Sequence, residues 1–220
     1  MQEFISLFLP TALPRFSLTS LGFCSFFAIS IFFYYSIPKK IQWGFLLFAS
    51  LAFFVFSCEP WTIFYLIGAS FVSYSAAILG ENFPKRRNIF CSVGIFLVLL
   101  ILAVLKYSNF LVINWNYAVK IFHKIFHLDF ARQNYFQFLA PIGISFYTLM
   151  LTGYLLDYST GKIEVQKNFF KFLLFASYFP QLTSGPISRY EQISNQIYEK
   201  HDFDYSAVSE GIVRMAWGFF

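Results

Sequence analysis

Few side chains in this sequence are equipped for chemistry, and most of those fall in its second half. His123 and His127 stand four residues apart in AVKIFHKIFHLDF (118–130), the spacing that puts two imidazoles on one helical face for a metal ion. A zinc protease would need glutamate where Lys124 stands, and Asp129 is the one carboxylate nearby; headgroup contact fits the pair better, and no metal is expected. His201, within the hydrophilic His201-Asp202-Phe203-Asp204, reads as a solvated loop residue. Ser145 has no Gly-x-Ser-x-Gly frame around it and carries no signature of a nucleophile. Cys24, Cys58 and Cys91 lie in apolar surroundings without Cys-x-x-Cys spacing, so they read as buried thiols and not as a disulfide or zinc framework. Arg189 presents a planar fork suited to a phosphate or carboxylate, with a snorkelling interface arginine as the alternative. Asp157 closes an apolar run and reads as a helix-end carboxylate near Lys162.

The segments that must position such groups are unusual. FPQLTSGPISRYEQI (179–193) crowds Pro180, Gln181, Thr183, Ser184, Gly185 and Pro186 into an apolar run and then loads Arg189 and Tyr190 onto its exit. These residues cannot all be satisfied in a lipid-facing helix, so the segment predicts a re-entrant loop or a broken helix lining a polar path. Gln181, Thr183 and Ser184 then offer hydrogen bonds inside the membrane, or serve as glue between helices. A second break falls at Pro141-Ile142-Gly143-Ile144-Ser145. Proline removes a backbone donor there, which alone predicts a kinked helix with Gly143 as a close-packing site. Beside the Pro180 segment, a cavity wall becomes the better reading.

Composition sets the environment. The 220 residues are 58% hydrophobic and 12% charged, with 33 Phe and 14 Tyr, which excludes an ordinary soluble domain. Stretches free of Asp, Glu, Lys and Arg run 16–38, 41–58, 60–80, 88–105, 133–156 and 172–188, several of them near the ~20 residues a spanning helix needs. The first is too long and aromatic for a cleaved signal peptide and lacks a basic start, so it is read as retained. The net charge of +5 comes from short basic clusters at the ends of apolar runs, a pattern of topology and anionic headgroups and not of nucleic-acid binding. Two runs meeting at Cys58-Glu59-Pro60 form a hairpin that returns Lys39–Lys40 and Lys85–Arg86–Arg87 to one side, cytoplasmic by the positive-inside rule, with the N-terminus outside. Residues 88–105 then leave, and Lys162, Lys167 and Lys171 come back inside. Tyr107–Val119, short and holding three asparagines, is expected to be half-inserted, and 118–130 to lie in the headgroup plane. There is no repeat or low-complexity linker, so 1–220 is one transmembrane unit, and RMAWGFF (214–220) stops inside a new apolar run, as in a truncated product.

Residues 141–193 resemble the central region of the membrane-bound O-acyltransferases, closest to the branch of the alginate O-acetyltransferase membrane subunit and the lipoteichoic-acid D-alanyl transfer protein. Three blocks carry the resemblance in order: Pro141 to Phe146 for Pro-x-Gly-Ile-Ser-Phe, Tyr154 to Asp157 for Tyr-Leu-x-Asp, and Phe179 to Tyr190 for Phe-Pro-Gln-x-x-x-Gly-Pro-Ile-x-Arg-Tyr. The preceding residues agree only in general character, including a Lys-Tyr step at Lys106-Tyr107. The resemblance implies an all-α polytopic membrane protein, a ring of transmembrane helices with broken or re-entrant core segments and funnels on both faces. It implies transfer of an acyl group from a cytoplasmic thioester donor, acyl-CoA or an acyl-carrier protein, to a hydroxyl of an exported polysaccharide or envelope polymer, or to an extracytoplasmic acyltransferase partner. No tightly bound cofactor is implied.

On that reading Pro141, Gly143, Ser145, Pro180, Gln181, Thr183, Ser184, Gly185, Pro186 and Tyr190 line the substrate path, Asp157 supports the inner funnel, and Arg189 meets a donor phosphate. The family's catalytic histidine is expected beyond Phe220, and none of the three histidines here occupies its position, so this chain by itself is expected to be inactive. The rivals are a lipid- or protein-acylating relative, a transporter with broken helices along its path, and a non-catalytic membrane scaffold. Neither inverted repeats nor paired intramembrane charges favour the transporter.

Overall fold

A computed structural model describes residues 20–126, 141–182, 185 and 187–219. Among the described residues nine α-helices follow one another: α1 (Leu21–Ser36), α2 (Gln42–Ser57), α3 (Ile63–Asn82), α4 (Arg87–Phe126), α5 (Ile144–Ser159), α6 (Phe169–Ser177), α7 (Phe179–Leu182), α8 (Tyr190–Tyr198) and α9 (Tyr205–Phe219). The described residues contain no strand. Lys39–Ser57, Pro60–Asn82 and Pro84–Ser108 are each long and apolar enough to cross a membrane, and Leu21–Ser36 is a shorter apolar helix. The chain is an all-α polytopic membrane protein, as its composition requires. Phe32, Phe48, Phe64, Phe71 and Phe96 are exposed on the outer surface, a distribution that water would penalise and lipid accepts.

Prolines punctuate the helices where the sequence places them. Pro38 follows the end of α1, Pro60 opens a 3₁₀ turn into α3, and Pro84 opens another into α4. Pro serves at such starts because its missing N–H has no partner to lose. The Cys58-Glu59-Pro60 turn therefore makes the expected α2–α3 hairpin. Both of its basic flanks lie at one end of the bundle, where Lys171 stands over the Trp43 ring and Lys167 pairs with Glu81 at 3.1 Å.

One expectation is overturned. Within the described residues no boundary separates the span from the half-inserted piece and the start of the in-plane helix; α4 runs unbroken for 40 residues to Phe126, and residues 127–130 lie outside the described residues. At 1.5 Å per residue that is ~60 Å, about twice the hydrocarbon thickness. Neither glycine nor proline occurs between Gly94 and Phe126, so nothing stops the helix, and the asparagines that read as boundaries are tolerated, Asn114 donating back to the Phe110 carbonyl at 2.7 Å.

Small residues bring α3, α4 and α5 close. Ala69, Ser70, Ser73, Ala76, Ala77 and Gly80 form the buried stripe of α3. A Cβ on Gly94 would come within 2.6 Å of the Ala76 Cβ and 3.0 Å of Leu155 Cδ1, so the seam closes only with glycine there.

The chain doubles back between α6 and α8. This stretch begins at the basic end on α6, capped by the Asn168 carboxamide, which accepts from the Phe170 and Lys171 N–H groups at 2.9 and 3.2 Å. The nine residues of α6 span only ~14 Å, too little to cross. The Phe179 N–H reaches Ser50 Oγ, midway along α2, at 3.3 Å, and Leu182 reaches Gly143 near the far end. By α8 the chain is back, with the Tyr198 hydroxyl donating to the Lys171 carbonyl at 2.7 Å.

Candidate functional site

The two broken segments meet at one point. Gly143 adopts φ +71° and starts α5, so the Pro141 segment is a helix beginning and not the kink that the proline alone predicts. A Cβ on Gly143 would lie 2.2 Å from the Leu182 carbonyl oxygen and 2.9 Å from Leu182 Cγ. Glycine is therefore required twice, by the left-handed backbone and by the hairpin tip pressed against it. Pro141 is buried, and the Ile142 N–H donates to Cys58 Sγ at 3.2 Å, tying the break to the end of α2. Cys58 was legible only as a buried thiol; its acceptor role needs a backbone amide from 84 residues away.

The hairpin supports its own turn. Pro180 lies half-buried in α7, the Gln181 Nε2 donates to Ser188 Oγ at 3.0 Å, and the Gly185 N–H donates to the Gln181 carbonyl at 3.2 Å. A Cβ on Gly185 would sit 2.7 Å from the Gln181 Cα. Thr183, Ser184 and Pro186 lie outside the described residues, as do His127 and residues 133–140; of His123 the structure describes only the backbone, within α4. Gln181 Oε1 and the Tyr147 hydroxyl, one turn into α5 from Gly143, are buried with no hydrogen-bond partner among the described residues. Ser145 stands apart from that pair: its Oγ accepts from Lys106 Nζ at 3.1 Å.

Tyr190 is a wedge in the packed half of the hairpin. Its ring meets Tyr154 at 5.0 Å and Phe175 at 5.1 Å, both edge-on, and its hydroxyl accepts from Gln166 Nε2 at 2.9 Å. The Gln166 backbone N–H in turn donates to the Tyr154 hydroxyl at 2.9 Å. Burial pushes the Tyr198 hydroxyl well above its ordinary range, so it remains a neutral donor. Tyr154 was marked only as the start of the Tyr-Leu-x-Asp block, and neither Gln166 nor Tyr198 was singled out by pattern, because their partners lie on other segments.

At the basic end Asp157, little exposed, pairs with Arg189 at 3.4 Å and Lys162 at 3.9 Å. The expected Lys162 neighbour is present, and Arg189 joins it. His201 is not a freely solvated residue: its N–H donates to Gln42 Oε1 at 3.1 Å, its carbonyl accepts from Gln42 Nε2 at 3.0 Å, and its ring Nε2 sits 2.6 Å from the Gln196 carbonyl. Gln42 is buried and must be satisfied, which is why this loop docks. No group of three potential metal ligands occurs among the described residues. A cavity of about 360 Å³ between α3 and α4, lined by Phe64, Tyr65, Gly68, Leu100 and Val104 among others, is apolar and shares no residue with the hairpin.

No family model matches the chain, and no solved structure matches it. Curated relatives do. A probable alginate O-acetylase AlgI of Pseudomonas aeruginosa is 32% identical over 129 residues, covering 57% of this chain and 23% of that protein. A peptidoglycan O-acetyltransferase of Helicobacter pylori is 25% identical across the whole chain and 44% of its own length. A teichoic acid D-alanyltransferase of Lacticaseibacillus rhamnosus is 30% identical over 89 residues, covering 40% of this chain and 22% of that protein. The chain thus spans less than half the length of these relatives. The fold defines an all-α polytopic membrane protein whose core holds a helical hairpin. Within that class, the chain is similar to proteins named as an alginate O-acetylase, a peptidoglycan O-acetyltransferase and a teichoic acid D-alanyltransferase.

Proposed function

We propose that the protein serves a membrane-embedded O-acyltransferase that carries an acyl group from a thioester donor, acyl-CoA or an acyl-carrier protein, at the basic, cytoplasmic end to a hydroxyl of an exported polysaccharide or envelope polymer. The observation that carries this reading is the meeting of the hairpin tip with the Gly143 break, where the Tyr147 hydroxyl and Gln181 Oε1 are buried without partners among the described residues. Unsatisfied polar groups are costly at membrane depth, so polar atoms retained there suit a path for a polar substrate better than plain packing. A thinned centre of this kind passes a small acyl group while its bulky donor stays behind. No tightly bound cofactor enters the scheme. The acyl group leaves for the polymer directly or through an extracytoplasmic acyltransferase partner, and anionic lipids contact the basic end. On the family pattern a histidine that polarises the acceptor hydroxyl would serve as the general base.

The test is the ester content of isolated envelope polymers after deletion of the gene. Ester-linked acyl groups should fall, return with the wild-type gene, and return incompletely with Tyr147→Phe or Gln181→Ala at equal protein level in the membrane. Loss of label from a lipid or protein fraction instead would move the assignment to a lipid or protein acyltransferase. Unchanged esters in every fraction would leave a transporter or scaffold.

A further inference from the structure

Three cations converge at the basic end from three separate segments. Arg87 opens α4, Lys162 follows the turn after α5, and Arg189 leaves the hairpin. Lys162 and Arg189 share one carboxylate oxygen of Asp157, at 3.9 and 3.4 Å, which fixes them as neighbours. Arg87 meets the same turn, which carries Asp157 and Lys162: its guanidinium is 5.6 Å from the ring centroid of Tyr158, and Nη2 is 3.8 Å from where a Cβ of Gly161 would lie. Gly161 itself has φ +76°, so the turn brings the chain past Arg87 with no side chain in between. Of the other carboxylates at this end, Glu81 pairs with Lys167 and Asp202 with Lys39. Lys162 and Arg189 thus bracket one carboxylate oxygen, with the Arg87 guanidinium on the adjoining Tyr158–Gly161 turn. Asp157 is mostly buried, while the Lys162 and Arg189 side chains are 57% and 61% exposed, so the donors remain open to an incoming group.

We propose that Arg87, Lys162 and Arg189 form a phosphate-binding cluster, with Asp157 as the counter-charge that holds the two exposed donors in place until a phosphate arrives. Guanidinium forks match tetrahedral oxyanions in bidentate fashion, and the ammonium adds a point charge. The cluster lies where the hairpin opens to the basic end, so on the acyl-transfer reading the phosphate would belong to the donor; the binding chemistry itself does not rest on that reading. A phospholipid headgroup offers the same chemistry.

The probe is inorganic pyrophosphate, titrated calorimetrically into the protein in phosphatidylcholine nanodiscs. Arg189→Gln and Lys162→Gln are each expected to weaken binding about tenfold or more, the loss typical of a charge-assisted contact. Arg189→Lys should retain part of it, and Lys200→Gln, at the same end but outside the cluster, should change nothing. Asp157→Asn should tighten binding severalfold, the opposite of what a purely structural ion pair would give. With phosphatidylglycerol in the discs, abolished pyrophosphate binding identifies the lipid headgroup as the native phosphate, and undiminished binding identifies a soluble one. Absence of binding in phosphatidylcholine together with no effect of phosphatidylglycerol, or one affinity across all variants, overturns the proposal. Because the readout is binding, it is separable from the polymer ester assay.

Discussion

The α3–α4–α5 seam and the α6–α7 hairpin solve the same problem, filling a membrane interior, by opposite means. The seam uses the smallest side chains and unbroken helices: Ala76, Gly94 and Leu155 meet at distances that leave no room for a methyl group. The hairpin uses the largest: Phe179 packs against Phe26, Phe27 and Phe53 with ring centroids 5.5 to 6.2 Å apart, and its backbone is interrupted at both ends. Close backbone contact at Gly94 leaves no place for a ligand there, whereas aromatic props can hold an interrupted backbone in place and leave polar atoms such as Gln181 Oε1 at its tip. The difference separates scaffold from site.

The sharpest way to break the comparison is Gly143→Ala. A methyl group 2.2 Å from the Leu182 carbonyl cannot be accommodated by a rotamer change, and the positive φ adds ~1–2 kcal/mol for any L residue. A loss of ~3 kcal/mol or more is expected, read as reduced resistance to unfolding in sodium dodecyl sulfate and as new protease cleavage near Leu182. Wild-type resistance would show that the tip is not seated on the break.

Gly94→Ala tests the seam, with ~1–3 kcal/mol expected from overpacking. The comparison gains an internal control here, because the 2.6 Å contact is with one Cβ: Ala76→Gly in the same molecule should recover much of the loss. Gly68, on the same helix as Ala76, would meet nothing within 4 Å, so Gly68→Ala should be neutral or slightly stabilising. Equal losses at positions 68 and 94 would refute packing as the reason for glycine in the seam.

Backbone chemistry was legible in the sequence because it is local. Pro141, Gly143, Pro180 and Gly185 each restrict or free their own dihedrals, so the two breaks stand where the residues put them. Which segments the breaks would touch was not legible: Gly143 meeting Leu182, Gln42 clamping His201 and Arg87 standing over Tyr158 each depend on how distant segments pack. The division of α4 failed for a related reason. Asparagine and lysine mark boundaries on average, but a helix ends only where something ends it, and the stretch from 95 to 126 holds no glycine or proline. The tyrosine contacts of the hairpin were invisible because Tyr is common throughout the chain and only those meeting Gln166 or the Lys171 carbonyl hold the entry and exit together.

Those contacts yield the mildest prediction and the most direct one about topology. Tyr198→Phe removes one hydroxyl that donates to the Lys171 carbonyl at 2.7 Å and leaves the ring in place, so a cost of ~1 kcal/mol is expected. The carbonyl left behind can still meet water at the basic end, which keeps the penalty near the lower bound. The informative readout is accessibility and not stability. Cysteines placed at Ser188 and Ser206 should both react with a membrane-impermeant thiol reagent from the side that carries Lys39 and Lys171, because the hairpin leaves and returns at that end. In the Tyr198→Phe background the position-188 cysteine should react faster while the position-206 cysteine does not, since only the former lies inside the hairpin that this hydroxyl closes. Reaction of position 188 from the opposite side would mean that the segment crosses, and the distinction between a continuous seam and a re-entrant site would have to be redrawn.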